Sequence, residues 1–498
     1  MGPMNRTPEA APRSVPYRTP PAALALPLAL VLVLVTGCDG GGGGGGGPEE
    51  GGTGVGDPVF PTLGNSGYDV RHYGLTLDYR PDGNALDGNA VITARATKEL
   101  SAFTLDLTGL KVTSAKVDGK PAKTSRSGTK LRIELAHPLA RDREFRAEIA
   151  YEGRPKTIRD RDGATEGWVE TDHGAVGLGE PEGSMAWFPG NHHPSDKAAY
   201  DFTVSVPKGF TAVANGESRG TKTVKDEHGD DWTTFRWHSG EPMASYVASV
   251  AIGEFKTLET TAPAGGGKGD VPVYIAYAAG EDAAGRHMKE MVPKVLAWEE
   301  KLFGPYPFAS SGAVIDRNPY VHYPLETQTK PYYEKPPKDK IIVHELAHQW
   351  FGNSVTPRTW RDMWLNEGFA QYTEWMWEAQ QQKKRTERQI FDDYYDGRDP
   401  ESRGEEGEDI WAFPPAYPTA ETISGRPVYG RGAMVLHKLR ETVGDATFFD
   451  ILRTWARDHR YGNAGTDDFI RLCEKKAGRD LGDLFDTWLF KAAKPDHR

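Results

Sequence analysis

Two histidines four residues apart constrain this chain more than any other feature: His344 and His348 in Val343-His344-Glu345-Leu346-Ala347-His348. Positions i and i+4 lie one above the other on one face of an α-helix, so the segment must be helical for the two imidazoles to converge. A carboxylate, Glu367, follows after eighteen intervening residues, inside a second helix-like stretch from Asp362 to Trp377 that is rich in Trp, Phe, Tyr and Met. If the two helices pack face to face, two nitrogens and one oxygen meet and leave a fourth position open, which is the donor set of a catalytic zinc site with one ion per chain. The apolar run Ile341-Ile342-Val343 suits a buried helix of this kind. Glu345 falls between the histidines, beside the expected metal but not on it. There it is suited to take a proton from water whose pKa the metal has lowered.

A chain of 498 residues is long enough for two or three domains. A net charge of −11 with no basic patch excludes nucleic acid as a partner, and the acidity itself reads as solubility. The first residues are not fold. Ala22 to Val35 is an apolar run broken only by Pro27, too short and too sharply ended for a stable spanning helix, and it fits a signal-peptide core over 1–37. Val35-Thr36-Gly37-Cys38 follows. It reads either as the end of an ordinary secretory signal with an incidental cysteine or as a lipid-attachment site. The small residues before the cysteine resemble the lipobox of bacterial lipoproteins, which implies cleavage before Cys38 and a lipid on its thiol. Eight glycines, Gly40 to Gly47, open a segment to residue 58 that is expected to be a flexible linker. The location expected is extracytoplasmic, membrane-anchored or secreted. With Cys38 lipidated, the other cysteine, Cys473, has no intrachain disulfide partner and reads as a small buried hydrophobe.

From Tyr68 to about Phe255 the pattern is period-two alternation broken by turns. Runs 73–79, 90–96, 103–107, 145–151 and 200–206 alternate, and Asp82-Gly83 and Asp118-Gly119 are hairpin signals. An antiparallel β-sandwich or saddle is expected over 59–256. Val271 to Tyr277 still reads as a strand, but from Ala284 to Leu302 the period becomes helical, and helices continue to Leu489. The catalytic domain is therefore expected over 257–498, making the chain α+β and multidomain.

Two more segments bear on chemistry. Peptide-bond hydrolysis develops an oxyanion that a positioned donor must stabilise. Tyr429, in Val428-Tyr429-Gly430-Arg431-Gly432-Ala433, opens an apolar helical stretch, although the residues alone do not single it out among twenty tyrosines. Glu326, in Tyr323-Pro324-Leu325-Glu326-Thr327, reads alone as a surface acid or as a carboxylate for a substrate ammonium. Its segment, if extended, could bind substrate backbone by strand addition.

His344-Glu345-Leu346-Ala347-His348-Gln349-Trp350-Phe351-Gly352-Asn353, together with Trp364-Leu365-Asn366-Glu367-Gly368-Phe369-Ala370 and the eighteen-residue gap, resembles the gluzincin aminopeptidases, the group containing aminopeptidase N and the leukotriene-hydrolase enzymes. Trp187-Phe188-Pro189-Gly190-Asn191 with Asp196-Lys197-Ala198 is similar to a landmark of that family's β-domain, and the likeness runs from about residue 66 to the end. The resemblance implies a thermolysin-like catalytic domain and a peptidase acting at the N-terminal peptide bond. It implies zinc on His344, His348 and Glu367, Glu345 as base and then proton donor, Tyr429 at the oxyanion, and Glu326 on the substrate's α-amino group, with Glu180 as a second amine-binding position. A monomer acting on peptides is expected.

Two departures shape the expectation. Tyr-Pro-Leu-Glu-Thr stands where the family's exopeptidase motif has Gly-x-Met-Glu-Asn, keeping the glutamate and a hydrophobe. The chain stops where the family's usual C-terminal helical domain would begin, so a more open cleft is expected. An endopeptidase, or a peptide-binding lipoprotein without turnover, are the alternatives.

Overall fold

The computed structural model describes residues 47–226, 228–263, 269–399 and 409–497. The signal-like run and Cys38 lie outside the described residues. Alternating apolar positions build the first half as expected, because each buried face needs a partner sheet. Its largest sheet has eight strands. The alternating runs become Tyr68–Arg80, Ala85–Ala96, Glu144–Gly153 and Lys197–Pro207, all in this sheet, with burial alternating along each. Asp118 and Gly119 both take positive φ, 49° and 75°, as a two-residue hairpin between Val117 and Lys120 requires.

Among the described strands within 59–256, one pairing departs from the antiparallel expectation: Lys197–Pro207 lies parallel to Tyr68–Arg80. More than a hundred residues separate these strands, ample for the crossover that a parallel pair needs. A five-stranded sheet carries Gly174–Leu178 next to Val250–Gly253, and a smaller four-stranded sheet includes Leu100–Asp106.

The linker expected to residue 58 is docked well before its end. Glu49–Glu50 pairs with Leu100–Asp106. Asp57 is buried and accepts hydrogen bonds from the backbone N–H groups of Val59, Phe60 and Trp360, with His193 Nε2 3.1 Å away. Glycine-rich composition conceals this docking because its partners are distant backbone groups.

The next sheet begins at Phe255–Ala262, which pairs antiparallel with Val271–Ala278, followed in parallel by Ser311–Ile315 and Tyr332–Tyr333. Helix α1 (Asp282–Phe303) packs against this sheet, α2 (Asp339–Ala347) packs on α1 and on α3 (Trp364–Trp377), and α4 (Glu387–Tyr395), α5 (Gly432–Val443), α6 (Asp445–Asp458) and α7 (Thr466–Ala477) complete the helical layer. Every residue of α3 is buried, so its sequence shows no polar face. Cys473 is buried in α7. Among the described residues no helix is long and apolar enough to cross a membrane.

Candidate active site

Asp339, in the first turn of α2, complements the helix dipole, and Ile342, Val343 and Leu346 seat the helix in the core. His344 and His348 then project together toward Glu367 in the first turn of α3. Glu367 Oε2 lies 3.2 Å from His344 Nε2 and 3.4 Å from His348 Nε2.

The other ring nitrogens are committed outward. His344 Nδ1 donates to Glu374 Oε1 at 2.8 Å, and His348 Nδ1 donates to the Phe351 carbonyl at 3.1 Å. Since carboxylate and carbonyl only accept, each Nδ1 carries a proton, so each Nε2 is the nitrogen that faces Glu367 and can ligate a metal once any proton on it is displaced. Two further groups of potential ligands overlap this one: Glu326, Glu345 and His348, and Glu180, Glu326 and Glu367. They offer two and three carboxylates, better suited to hard cations, whereas two imidazoles with one carboxylate suit zinc. His344, His348 and Glu367 therefore fit the ion.

Glu345 is buried beside the pair. Burial is the largest influence on its carboxyl and holds it up to about 8. The neighbouring imidazoles pull it down, while Glu326 and Glu367 push it up. A proton acceptor in this range can take a proton and give it back near neutral pH.

Tyr429 sits in a wide π-type turn, Pro427–Arg431, that opens α5. What brings it to the metal helices is a pair of glycines. A Cβ on Gly368 of α3 would lie 2.9 Å from the Gly432 carbonyl carbon and 3.0 Å from its Cα, so the two backbones touch as no side chain would allow. Arg431, fully buried, anchors the same turn by donating to the Trp488 carbonyl at 2.9 Å. The Tyr429 ring lies nearly parallel to His344, centroids 6.1 Å apart. Burial and then Glu367, Glu180 and Glu326 hold its phenol well above its usual range, so it remains a donor.

Glu326 is buried, not a surface acid. Its segment doubles back on itself: Leu325 and Tyr332 exchange backbone hydrogen bonds as an antiparallel bridge, and the turn beyond Glu326 puts Thr329 at φ 68°. Glu326 Oε1 accepts from Asn366 Nδ2 at 3.0 Å, while its carbonyl accepts from Asn353 Nδ2 at 2.6 Å. Glu180, just after the strand Gly174–Leu178, converges on the same place, its carboxylate with those of Glu326 and Glu367 inside a 4.8 Å cluster. Burial and then the Glu326 and Glu367 charges push the Glu180 carboxyl well up. Glu180, Glu326, Glu345, Tyr429 and the three ligands all line one cavity of about 1060 Å³.

Sequence reading missed Glu374, Lys340 and Asn366 as parts of the site. Glu374 stands two turns beyond Glu367 on the same face of α3, and Lys340 pairs with it at 3.3 Å. That seven-residue spacing was the available signal. Asn366 had none, because its partner Glu326 is forty residues away.

Residues 69–247 match the model of the peptidase M1 N-terminal domain, and residues 311–488 match that of the peptidase family M1 domain. Probable aminopeptidase 2 of Sulfurisphaera tokodaii is 24% identical over 422 residues, 78% of this chain and 50% of that protein. Aminopeptidase N of Streptomyces lividans is 28% identical over 342 residues, 59% of this chain and 35% of that one. This chain thus spans about half the length, or less, of such sequence relatives. The M1 zinc metallopeptidase of Deinococcus radiodurans is 29% identical and superimposes with a TM-score of 0.78, covering 88% of this chain and 97% of the other. A variant of that protein, bound to a Tyr-Ser-Ala substrate, superimposes at 0.75 and 28% identity, over 88% and 98% of the two chains. With both halves matched and the metal-ligand cluster assembled between α2 and α3, this chain belongs to peptidase family M1.

Proposed function

We propose that this chain is a zinc-dependent aminopeptidase that hydrolyses the first bond of peptides with a free N-terminus. The observation that carries the reading is the carboxylate end of the cavity, where Glu180 and Glu326 crowd against Glu367 within a 4.8 Å cluster. Buried carboxylates beyond those a metal needs are costly unless a cation meets them. A peptide's α-ammonium is such a cation, and its capture there brings the first peptide bond to the metal ligands. Zinc, when bound by His344, His348 and Glu367, supplies Lewis acidity toward water and a carbonyl oxygen. Glu345 takes a proton from the attacking water and returns it to the leaving amine. Tyr429 donates a hydrogen bond to the oxyanion that develops. The aminopeptidase names of the relatives, and the tripeptide substrate of the D. radiodurans variant, support peptides as the substrate class.

The test is one peptide offered free and N-acetylated. The free form is cut and the acetylated form slowed at least about a hundredfold, and Glu326→Gln raises KM for the free form by roughly ten- to a hundredfold, as loss of one partner of a buried charge pair requires. Equal rates on both peptides point instead to an endopeptidase and refute the assignment.

We further propose that Cys38 carries a lipid anchor. Cys38→Ser then moves the protein from the membrane to the soluble fraction, and a variant that stays with the membrane overturns the idea.

A further inference from the structure

The turn that follows the metal helix is held from the other half of the chain. Three successive carbonyls, of Gly352, Asn353 and Ser354, each accept a hydrogen bond from a side chain of the β-domain. Tyr246 Oη donates to Gly352 at 3.0 Å, while Lys197 Nζ donates to Asn353 at 2.8 Å and to Ser354 at 3.0 Å. Lys197 also reaches the Gly462 carbonyl at 3.4 Å. Carbonyls are the partners found for this ammonium, and burial lowers its pKa to about 7. A lysine spent on neutral acceptors at a domain contact is a costly way to gain stability alone, since a carboxylate or an apolar residue would serve better.

The turn it grips leads directly to the substrate end of the cavity. Asn353 is fully buried, and its Nδ2 donates to the Glu326 carbonyl at 2.6 Å. Asn366 holds the Glu326 carboxylate from the opposite side. Gly352 makes room for this, with φ 120° and no Cβ, where one would fall 2.0 Å from Asn366 Oδ1.

We propose that Lys197 is a positioning residue: through the turn after the metal helix and the side chain of Asn353, it sets Glu326 where a substrate α-ammonium is received. This rests on the aminopeptidase reading above. Lys197 thereby acts on substrate recognition from the β-domain while its own bonds go to backbone carbonyls and not to the candidate metal ligands. The relay runs through two hydrogen bonds in series, so breaking either one has the same kinetic signature.

The experiment compares Lys197→Met and Asn353→Ala with Glu326→Gln in the full zinc-loaded chain. The readouts are kcat, KM and zinc content on one free-amine peptide, with a thermal melt beside them. Both relay variants are expected to raise KM about tenfold or more, with kcat within about threefold and zinc content unchanged. A lower melting temperature with unchanged KM makes Lys197 merely structural and overturns the proposal. So does a fall in kcat accompanied by zinc loss, which would mean that Lys197 acts through the metal helix. If Lys197→Met does not fold, Asn353→Ala decides by the same criterion, because Lys197 bonds the backbone carbonyl that this variant keeps. Should Glu326→Gln itself leave KM unchanged, the aminopeptidase reading fails separately, whatever Lys197 does.

Discussion

Replacing Glu345 by glutamine lowers kcat by roughly 10²–10⁴-fold, the range for loss of a general acid–base group, and leaves zinc content unchanged. The amide keeps the size of the side chain and removes only its ability to accept and return a proton. Stability should not suffer. Glu345 is almost fully buried, and burial already favours its neutral form, holding the carboxyl up to about 8 from an ordinary value of 4.5. A carboxyl raised in this way contributes stability that is complete below about 4.5 and is lost as pH rises through about 8. In metal-free protein the melting temperature of the Gln variant should therefore gain on that of the parent as pH rises across this window. Tyr429→Phe is the companion test: kcat falls by roughly 10²–10³-fold, the cost of one oxyanion donor, with KM little changed. Zinc loss from the Glu345→Gln protein would mean that the ion uses the overlapping Glu326, Glu345 and His348 group instead.

Stripping the metal with a chelator abolishes hydrolysis and lowers the melting temperature, and zinc restores both. The stabilisation follows from mass action: an ion bound only by the folded state adds about 4 kcal/mol at a thousand times its dissociation constant. The metal-free site has a further signature. Burial opposes a charge on His348, but Glu367 and then Glu326 outweigh it and hold the imidazolium up to about 9. Glu367 is itself held down to about 2: burial opposes its charge, and the facing imidazoles overcome that. Without metal the cluster holds protons, so zinc must displace them. Zinc affinity measured by titration should thus weaken as pH falls below about 9. Hydrolysis that survives chelation would remove the metal from the mechanism altogether.

Legibility along the chain followed the range of each interaction. Hairpins such as Asp118-Gly119 and the i, i+4 histidines are local, so two or three residues specify them. The parallel pairing of Lys197–Pro207 with Tyr68–Arg80 was not legible, because either orientation satisfies the same alternation. The docking of Asp57 was invisible for the same reason, its partners Trp360 and His193 lying far along the chain. Glu326 shows the difference within one residue. Its neighbours gave no reason to bury it, and it is buried because Asn366 and Asn353, from the α2–α3 region, supply its hydrogen bonds.

By itself the amino-acid sequence determined the candidate metal-ligand pattern, the place of Glu345 between the histidines, and the succession of a strand-rich half by a helical one. These rest on side-chain type and on periods of two and 3.6 residues, which any chain of this composition must obey. Only the tertiary structure decided which carboxylates meet at the substrate end and what holds them there. Glu180, Glu326 and Glu367 come from three distant segments. The backbone contact of Gly368 with Gly432, and the grip of Lys197 on the turn after α2, bring the surrounding elements together. Close packing sets such distances to fractions of an ångström, and no local pattern encodes a distance between residues a hundred positions apart.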